Sequence, residues 1–488
     1  MVLFELISDF KIVIFSVFFV IALLKLRDYL KWRKSADNIP GPSASLLTGN
    51  MLDIGRAGGL FFYLHYLHKI YGPVVKYWAA PNELHVTIND PDILEQLSIQ
   101  TTERPLAFVE FLKGFFGNRG LIYLTGQSAK ERRLIWHKVF AKRPYEAVIA
   151  RFCEIINKRS TEWLMRRKDG ETSVTIDIQA ESRFLWNKLN DYNVFGNSAS
   201  SESLSAKFEE AIEVLLQIRY RFTPVLPYTQ LWHRKRALLE DVRREVDRLI
   251  KEQLQNRGGA KPTGSDLLSI LLNDEELDEE SFFDEVLTLL FVVTDNFMGV
   301  ATFLHQIALH KHIQERIRKE IQDVLGDKTL TSLDDLTRLT YVRAVVKETL
   351  RYGGTSNITL RTIDKDYLIK NKYFIPKDAF VVIPIRVLHR NSDYWSNPDK
   401  FDPDRFMENG EKFENRPRMA YVPFGFGSRS CLGQRYVMNT LTLIACSLVR
   451  KFDIDAVTKE DEIIWKAGIF SEHSANGIWL NFTPRNVE

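Results

Sequence analysis

Cysteine is scarce in this chain of 488 residues, which contains only Cys153, Cys431 and Cys446. An odd and sparse set excludes the disulfide framework of a secreted scaffold and favours a reducing, cytosol-facing environment. The chain also lacks a large excess of charge of either sign, because it has 66 basic and 63 acidic residues and a formal net charge of +3. This balance excludes a global bias towards nucleic acid, so any basic binding surface must be local.

One apolar run, Ile12–Leu24, lies near the N-terminus. It is shorter than the roughly 20 residues that cross a bilayer, but snorkelling lysines and the preceding residues can extend it. A cleaved signal peptide is the alternative interpretation. No small-x-small cleavage site follows, and residues 25–34 are far more basic than the upstream flank, which favours keeping them in the cytosol. We therefore predict an uncleaved signal anchor over residues 1–35, with a catalytic domain over 36–488.

The sequence after the anchor is mostly of helical pattern, with a small early β region. Alternating residues at 74–78 and 84–88 predict two short strands, and Asn89-Asp90-Pro91 predicts a turn and a helix start. Before them, Pro40-Gly41-Pro42 predicts a stiff hinge between the anchor and the rest of the chain.

The most informative stretch lies near the C-terminal end and reads PFGFGSRSCLG, with Cys431 as its cysteine. A cysteine that binds a metal must be a thiolate, which requires N–H donors and nearby positive charge. Arg429 supplies a charge two residues away, and the apolar residues from Leu432 onward predict a helix starting at the sulfur. A small buried hydrophobe is the alternative for a lone cysteine, but this pattern fixes five positions, which chance seldom matches. The five positions are Phe424, Gly427, Arg429, Cys431 and Gly433.

These five residues resemble the haem-thiolate signature of the cytochrome P450 family. The resemblance implies one large globule behind the anchor, mainly α with a minor β region. It implies a b-type haem with Cys431 as the proximal iron ligand and dioxygen chemistry on the other face. Arg429 is then placed to pair with a haem propionate, and Phe424, Gly427 and Gly433 belong to the cofactor-binding loop.

Further motifs in the family's order extend the resemblance over the chain after the anchor. Glu348-x-x-Arg351 precedes Phe401-Asp402-Pro403-Asp404-Arg405-Phe406, in which Arg405 is implied to complete a buried Glu-Arg-Arg network. Members usually carry Trp-x-x-x-Arg on an earlier helix, with the arginine on a haem propionate. Here Ala129 replaces the tryptophan, and Arg133 or its neighbour Arg132 is implied to make that contact. Arg361 falls where a second propionate arginine is expected.

The central segment predicts a helix from about Asp278 to His310. Asp295 lies among apolar residues in its middle, which is costly unless the carboxylate is hydrated or paired, so it is a candidate catalytic residue. A buried aspartate satisfied by a nearby base is the alternative. In the family this segment lies over the haem, and an acid followed by threonine supplies protons. Here the threonine is Asn296, whose amide forms hydrogen bonds but does not readily pass a proton.

The resemblance leaves two chemistries open, because the central segment shows likeness to both sterol hydroxylases and prostacyclin synthase. The first is a monooxygenase that hydroxylates a lipophilic substrate, a sterol or fatty acid, with O2 and electrons from NADPH through cytochrome P450 reductase. It implies a single-pass endoplasmic reticulum protein with a cytosolic catalytic domain. The second is a reductant-independent isomerase or lyase of a lipid hydroperoxide. A haem protein without turnover is a third alternative, and the oligomeric state is not predicted.

One helix also carries a basic set that offers either a docking face for an acidic electron-transfer partner or a merely solvated face. The set comprises Lys130, Arg132, Arg133, Lys138, Lys142 and Arg143.

Overall fold

The structure is a computed structural model that divides into two compact units. Unit 1 comprises Met1–Thr101 and Leu360–Ile383, and unit 2 comprises Thr102–Thr359 and Pro384–Glu488. The described residues are 2–100, 119–141, 145–196, 229–256, 266–274, 276–294, 296–353, 356–408, 416–467 and 471–485, with a few positions between 204 and 214.

Unit 1 contains a four-stranded sheet with the strand order β1-β2-β7-β4. The first two strands form an antiparallel pair, and β7 runs parallel to β2. The described elements of unit 1 are α1 (Val2–Ser35), α2 (Met51–Arg56), α3 (Leu60–Tyr71), β1 (Val74–Ala80), β2 (Glu83–Ile88), α4 (Pro91–Gln100), β4 (Thr359–Thr362), β5 (Tyr367–Ile369), β6 (Tyr373–Ile375) and β7 (Phe380–Ile383).

Both strands predicted near the start of unit 1 are confirmed, and so is the helix start that follows them. The Asp90 carboxylate accepts hydrogen bonds from the N–H groups of Asp92 and Ile93 at 3.0 and 3.1 Å. These two bonds satisfy donors that the first turn of α4 leaves without a helical partner.

The Pro40-Gly41-Pro42 segment packs on β1 of the same unit. The Lys76 N–H donates to the Pro40 carbonyl at 2.8 Å. A Cβ on Gly41 would lie 2.1 Å from the Lys76 carbonyl oxygen, so the close approach requires glycine. The predicted hinge is therefore fastened to the sheet, and it fixes the chain directly after α1.

Unit 2 is mainly helical, and the structure as a whole is 60% helical with a small sheet part, which confirms the predicted fold class. Its described helices are α5 (Gly126–Ala141), α6 (Tyr145–Leu164), α7 (Ile178–Phe195), α8 (Gln230–Asn256), α9 (Leu267–Leu272), α10 (Glu279–Thr294), α11 (Phe297–Leu309), α12 (Lys311–Leu325), α13 (Leu333–Arg338), α14 (Thr340–Gly353), α15 (Ile385–His389) and α16 (Gln434–Lys451). Its described strands are β3 (Val174–Asp177), β8 (Phe452–Ala456), β9 (Trp465–Ala467), β10 (Glu472–Ser474) and β11 (Trp479–Pro484).

Helix α11 lies at the centre of unit 2, where all but its last residue are buried, against α7, α14, α16 and β8. The sequence predicts one helix across this region, and the described residues are helical to Thr294 and again from Phe297, with Asp295 outside the described residues. Asn296 lies between them, and its amide Nδ2 donates to the Val292 carbonyl at 2.8 Å. The backbone angles of Asn296, φ −82° and ψ −6°, lie in the right-handed helical region.

Within the part of the chain that the structure describes, one stretch, Glu279–Leu309, is long and apolar enough to cross a membrane. About 80% of its apolar window is buried inside the protein, a property that core helices share. Its composition is therefore weak evidence for a membrane span.

Candidate active site

The Cys431 loop joins a short 3-10 helix, Gly427–Arg429, to α16. The Cys431 N–H donates to the Phe424 carbonyl at 2.8 Å, which closes the loop. Gly425 and Gly427 have φ angles of +67° and +68°, in the left-handed region that favours glycine. Cys431 is exposed and forms no disulfide, so its sulfur is accessible to a ligand.

Helix α16 begins three residues after the cysteine, at Gln434, with Gly433 as its N-cap. The sequence predicts a start at the sulfur itself, but residues 432 and 433 form a turn before the helix. A Cβ on Gly433 would lie 3.7 Å from the Cys431 sulfur, an ordinary contact distance, so glycine leaves that side of the sulfur open.

Two arginines border the loop. Arg133 on α5 donates through Nη2 to the Ser430 carbonyl at 2.9 Å, directly before the cysteine. Burial lowers the pKa of Arg133, and the negative charge of Cys431 opposes this by raising it. Arg429 is buried and donates to the Leu124 carbonyl at 2.8 Å. Positive charge next to the sulfur stabilises a thiolate, the form that binds iron.

Behind the loop lies a buried ion-pair network. Arg351 donates twice to the Glu348 carboxylate, from Nε and Nη2, both at 2.7 Å. The Arg405 Nε lies 3.5 Å from Glu348 Oε1, and the Asp402 N–H donates to the same oxygen at 2.7 Å. Arg351 also donates to the carbonyls of His389 and Pro398. The network thus fastens α14 to the part of the chain between His389 and Arg405.

His389 is a residue of this region that sequence reasoning missed. Its Nε2 accepts the N–H of Val422 at 2.9 Å, just before the cysteine loop, and its ring stacks on Tyr421. Complete burial, together with the nearby Arg351 charge, lowers the pKa of His389 to about 3. The imidazole is therefore neutral at ordinary pH. The His389-Arg390-Asn391 run matches the family, but the sequence does not show that the ring accepts a backbone N–H.

A second missed cluster joins α5 to α10. The fully buried Glu285 carboxylate accepts from Arg132 Nη1 and from Trp136 Nε1, both at 2.7 Å. Burial raises the pKa of Glu285, and the hydrogen bonds from Trp136 and Arg132 oppose this increase. Arg132 therefore binds Glu285, while its neighbour Arg133 is the arginine at the cysteine loop. The position where the family usually has tryptophan is occupied by Ala129, which is buried. Trp136 lies further along the same helix.

The remaining candidates are not brought together by the described part of the structure. Asp295 lies outside the described residues. Asn296 is described, with φ −82° and ψ −6°, as the N-cap of α11. Arg361 lies on β4 in unit 1, where it is buried and donates to the Leu360 carbonyl at 2.8 Å. Its propionate contact stays a prediction.

The residues around Cys431 suit a metal ion that is held mainly by a macrocycle and takes only one ligand from the protein. Among the described residues, no group of three or more His, Cys, Asp or Glu side chains is placed to hold a metal ion. Cys431 instead is one exposed cysteine in a loop that Arg133 and Arg429 border, an arrangement that suits a thiolate ligand for haem iron.

Comparisons with known proteins agree with this arrangement. A family model described as Cytochrome P450 matches residues 39–476. Cytochrome P450 4d2 of Drosophila melanogaster is 27% identical over 503 residues, 95% of this chain and 97% of that protein. The mitochondrial 1,25-dihydroxyvitamin D(3) 24-hydroxylase of Mus musculus is 25% identical over 463 residues, 89% of this chain and 87% of that protein. The solved structure of retinoic acid bound cyanobacterial CYP120A1 matches with a TM-score of 0.78 at 21% identity, over 92% of this chain and 99% of that one.

The fold and the cysteine loop define a haem-thiolate protein. The match over most of the chain shows that it belongs to the cytochrome P450 family. It is therefore an oxidoreductase, a haem monooxygenase whose iron has a cysteine thiolate ligand. Members of the family generally take electrons from a redox partner and bind lipophilic substrates.

Proposed function

We propose that this protein hydroxylates a sterol or fatty acid with O2 and electrons from NADPH, delivered by NADPH-cytochrome P450 reductase. The observation that carries the proposal is the accessible Cys431 sulfur in a loop bordered by Arg133 and Arg429. The similarity to a vitamin D hydroxylase supports the sterol part of the substrate class.

The residues of the site have separate tasks in this proposal. Haem, when bound, supplies the dioxygen chemistry. Cys431 would hold the iron through its thiolate, and Arg133, Arg429 and Arg361 are the residues that would pair with propionates. The Glu348, Arg351 and Arg405 network keeps the loop in place.

Asn296 and Asp295 are the proposed catalytic residues. The Nδ2 of Asn296 donates to the Val292 carbonyl, and its Oδ1 makes no hydrogen bond to another described residue, so we propose that Oδ1 accepts a hydrogen bond from water or substrate. An amide orients such a partner but does not pass its proton on, so Asp295 is the proposed proton source.

Helix α1 is the proposed membrane anchor, and residues 36–488 form the proposed catalytic domain. Large apolar side chains on the described part of α1 are exposed, which is costly in water and favourable in a bilayer. These exposed residues are Val17, Phe19, Val20, Ile21, Leu23, Leu24, Leu26 and Leu30. The basic end of α1 favours a single pass through the endoplasmic reticulum membrane with a cytosolic catalytic domain.

The reductase is proposed to dock beside α5, where Lys130 and Leu134 are exposed. Two members of the predicted basic set are turned inward, because Arg132 binds Glu285 and Arg133 binds the Ser430 carbonyl. Lys138 pairs with Glu276 at 2.8 Å. Lys142 and Arg143 lie outside the described residues. The docking face thus depends on fewer cations than the sequence predicts.

The direct test is NADPH consumption by the purified haem protein with and without the reductase, over a panel of sterols and fatty acids. We expect reductase-dependent consumption that matches hydroxylated product for at least one lipid. The proposal is wrong if no lipid is oxidised with the reductase present while the haem protein remains intact.

A second candidate function is rearrangement of a lipid hydroperoxide, which needs no reductant, and the Asn296 amide favours it. This function predicts rapid, reductant-free loss of a fatty-acid hydroperoxide and a large decrease in the Asn296→Thr variant. Asn273→Thr is the matched control, because Asn273 makes the same amide bond to a carbonyl one turn earlier, at 3.0 Å from the Ser269 oxygen. Absence of peroxide loss in the wild-type protein excludes this function.

A further inference from the structure

A cavity of about 280 Å³ lies in unit 1 between the end of α1 and β1. Arg33, Lys34 and Asp37 line it from the helix side, and Lys76 and Trp78 line it from the strand. These side chains carry three positive charges and one negative charge, so the cavity favours an anion.

The partners of Arg33 do not neutralise its charge. Its Nη1 donates to the Tyr29 hydroxyl at 2.8 Å and to the Pro81 carbonyl at 3.3 Å, and its guanidinium stacks 4.2 Å from the centre of the Trp78 ring. All these groups are uncharged acceptors or aromatic faces. Arg33 is thus held in the cavity wall by uncharged groups.

The two lysines of the cavity differ in their surroundings. The Lys76 ammonium binds the Ala36 carbonyl at 2.8 Å and Asp37 at 3.0 Å, and its side chain is only 13% exposed. Asp37 is 69% exposed, so it can turn towards solvent and release Lys76 to another anion. Lys34 is exposed and makes no ion pair with any described residue.

The cavity also lies where the apolar surface of α1 ends. Exposed apolar side chains continue along the helix to Leu30, and the half-buried Tyr29 and Trp32 lie within two residues of it, next to the buried Trp78 of β1. The Trp32 and Trp78 rings meet edge to face at 5.1 Å. Tryptophan and tyrosine are enriched where a protein crosses from hydrocarbon to head groups. An α1 in the bilayer therefore brings the cavity to head-group depth.

We propose that this cavity binds the head group of an anionic phospholipid, with Arg33, Lys34 and Lys76 holding its phosphate. The inference rests on the proposed anchoring of α1. A zwitterionic lipid fits less well, because its ammonium group meets the excess positive charge of the cavity. A free phosphate ion satisfies the cations but gains nothing from the apolar and aromatic surface beside them.

The experiment is binding of the full-length haem protein to two kinds of vesicle, phosphatidylcholine alone and phosphatidylcholine with phosphatidylserine. Lys34→Gln and Lys76→Gln test the cavity. Lys31→Gln is the matched control, because it removes an exposed charge from the same helix without touching the cavity. General attraction to an anionic surface predicts a loss of about fivefold for any of these lysines. A bound head group predicts a further loss of about tenfold for the two cavity variants, on phosphatidylserine vesicles alone.

Three results would overturn the inference. Equal losses of vesicle binding for Lys31→Gln and Lys34→Gln mean that the protein is attracted to the anionic surface in general and not through the cavity. This outcome leaves the proposed membrane anchor unaffected. Binding to neither vesicle refutes the anchor and the head-group site together. Inorganic phosphate that abolishes the effect of phosphatidylserine at equal anion concentration identifies a free-anion site instead.

Discussion

Replacing Glu285 by alanine tests how firmly α5 and α10 are joined. The carboxylate is fully buried and holds Arg132 and Trp136 at 2.7 Å each. Removing it leaves a largely buried guanidinium and an indole N–H without their acceptor. Breaking a buried pair in this way costs about 3–5 kcal/mol. We expect the free energy of unfolding of Glu285→Ala to decrease by that amount.

A graded series separates charge from hydrogen bonding at this site. Glu285→Gln keeps one oxygen acceptor but loses the charge, so we expect a loss of about 2 kcal/mol. Glu280→Gln is the matched control on the same helix, since Glu280 is 64% exposed and pairs with Arg119 at 2.8 Å. An exposed pair contributes less than about 1 kcal/mol.

The measurement is urea-induced unfolding of the three variants and the wild-type protein, followed by far-ultraviolet circular dichroism. When the free energy of unfolding depends on urea concentration with the same slope in each protein, the difference between the urea midpoints gives the change in the free energy of unfolding. If Glu285→Ala loses no more than Glu280→Gln, then the buried pair does not hold the two helices together and the reasoning is wrong.

Two further predictions concern the cysteine loop. Cys431→Ser removes the thiolate and should abolish the carbon monoxide difference spectrum of thiolate-ligated haem, whereas the buried Cys446→Ala should keep it; retention of the spectrum in Cys431→Ser contradicts the assignment. The pKa of His389 is about 3 in the folded protein and about 6.5 in the unfolded chain. As the pH falls from 6.5 towards 3, the unfolded chain therefore takes up the proton first, and the free energy of unfolding decreases. Between about pH 8 and pH 5 the wild-type protein should lose about 2 kcal/mol more than His389→Gln in unfolding experiments, and parallel pH profiles would count against a neutral buried imidazole.

The cysteine loop and the Glu348–Arg351 pair could be recognised from sequence through their resemblance to the family's motifs and the order of those motifs, and part of each motif reflects a local constraint. Positive φ angles at Gly425 and Gly427 require glycine, and such requirements appear in the sequence as fixed letters. Glu348 and Arg351 face each other because residues three apart share a helix face. The strands at 74–78 and 84–88 can be predicted for the same reason, because side chains along a strand alternate between two faces over a short period.

Contacts between distant segments could not be predicted. Glu285 is one acidic residue among 63, and only the fold shows that Arg132 and Trp136 surround it. The bond from the Asn296 amide to the Val292 carbonyl could not be predicted either, because residue type leaves open whether an amide binds its own segment or a neighbouring one. The close approach of Gly41 to Lys76 likewise depends on tertiary packing.

Hydrogen bonds connect α10 to the Cys431 loop through α5. Glu285 on α10 holds Arg132 and Trp136 on α5, and the same helix carries Arg133, which binds the Ser430 carbonyl beside Cys431. A shift of α5 therefore moves a positive charge relative to the sulfur. Since thiolate character depends on that charge, weakening Glu285 should impair haem ligation at denaturant concentrations that leave the overall helix content unchanged.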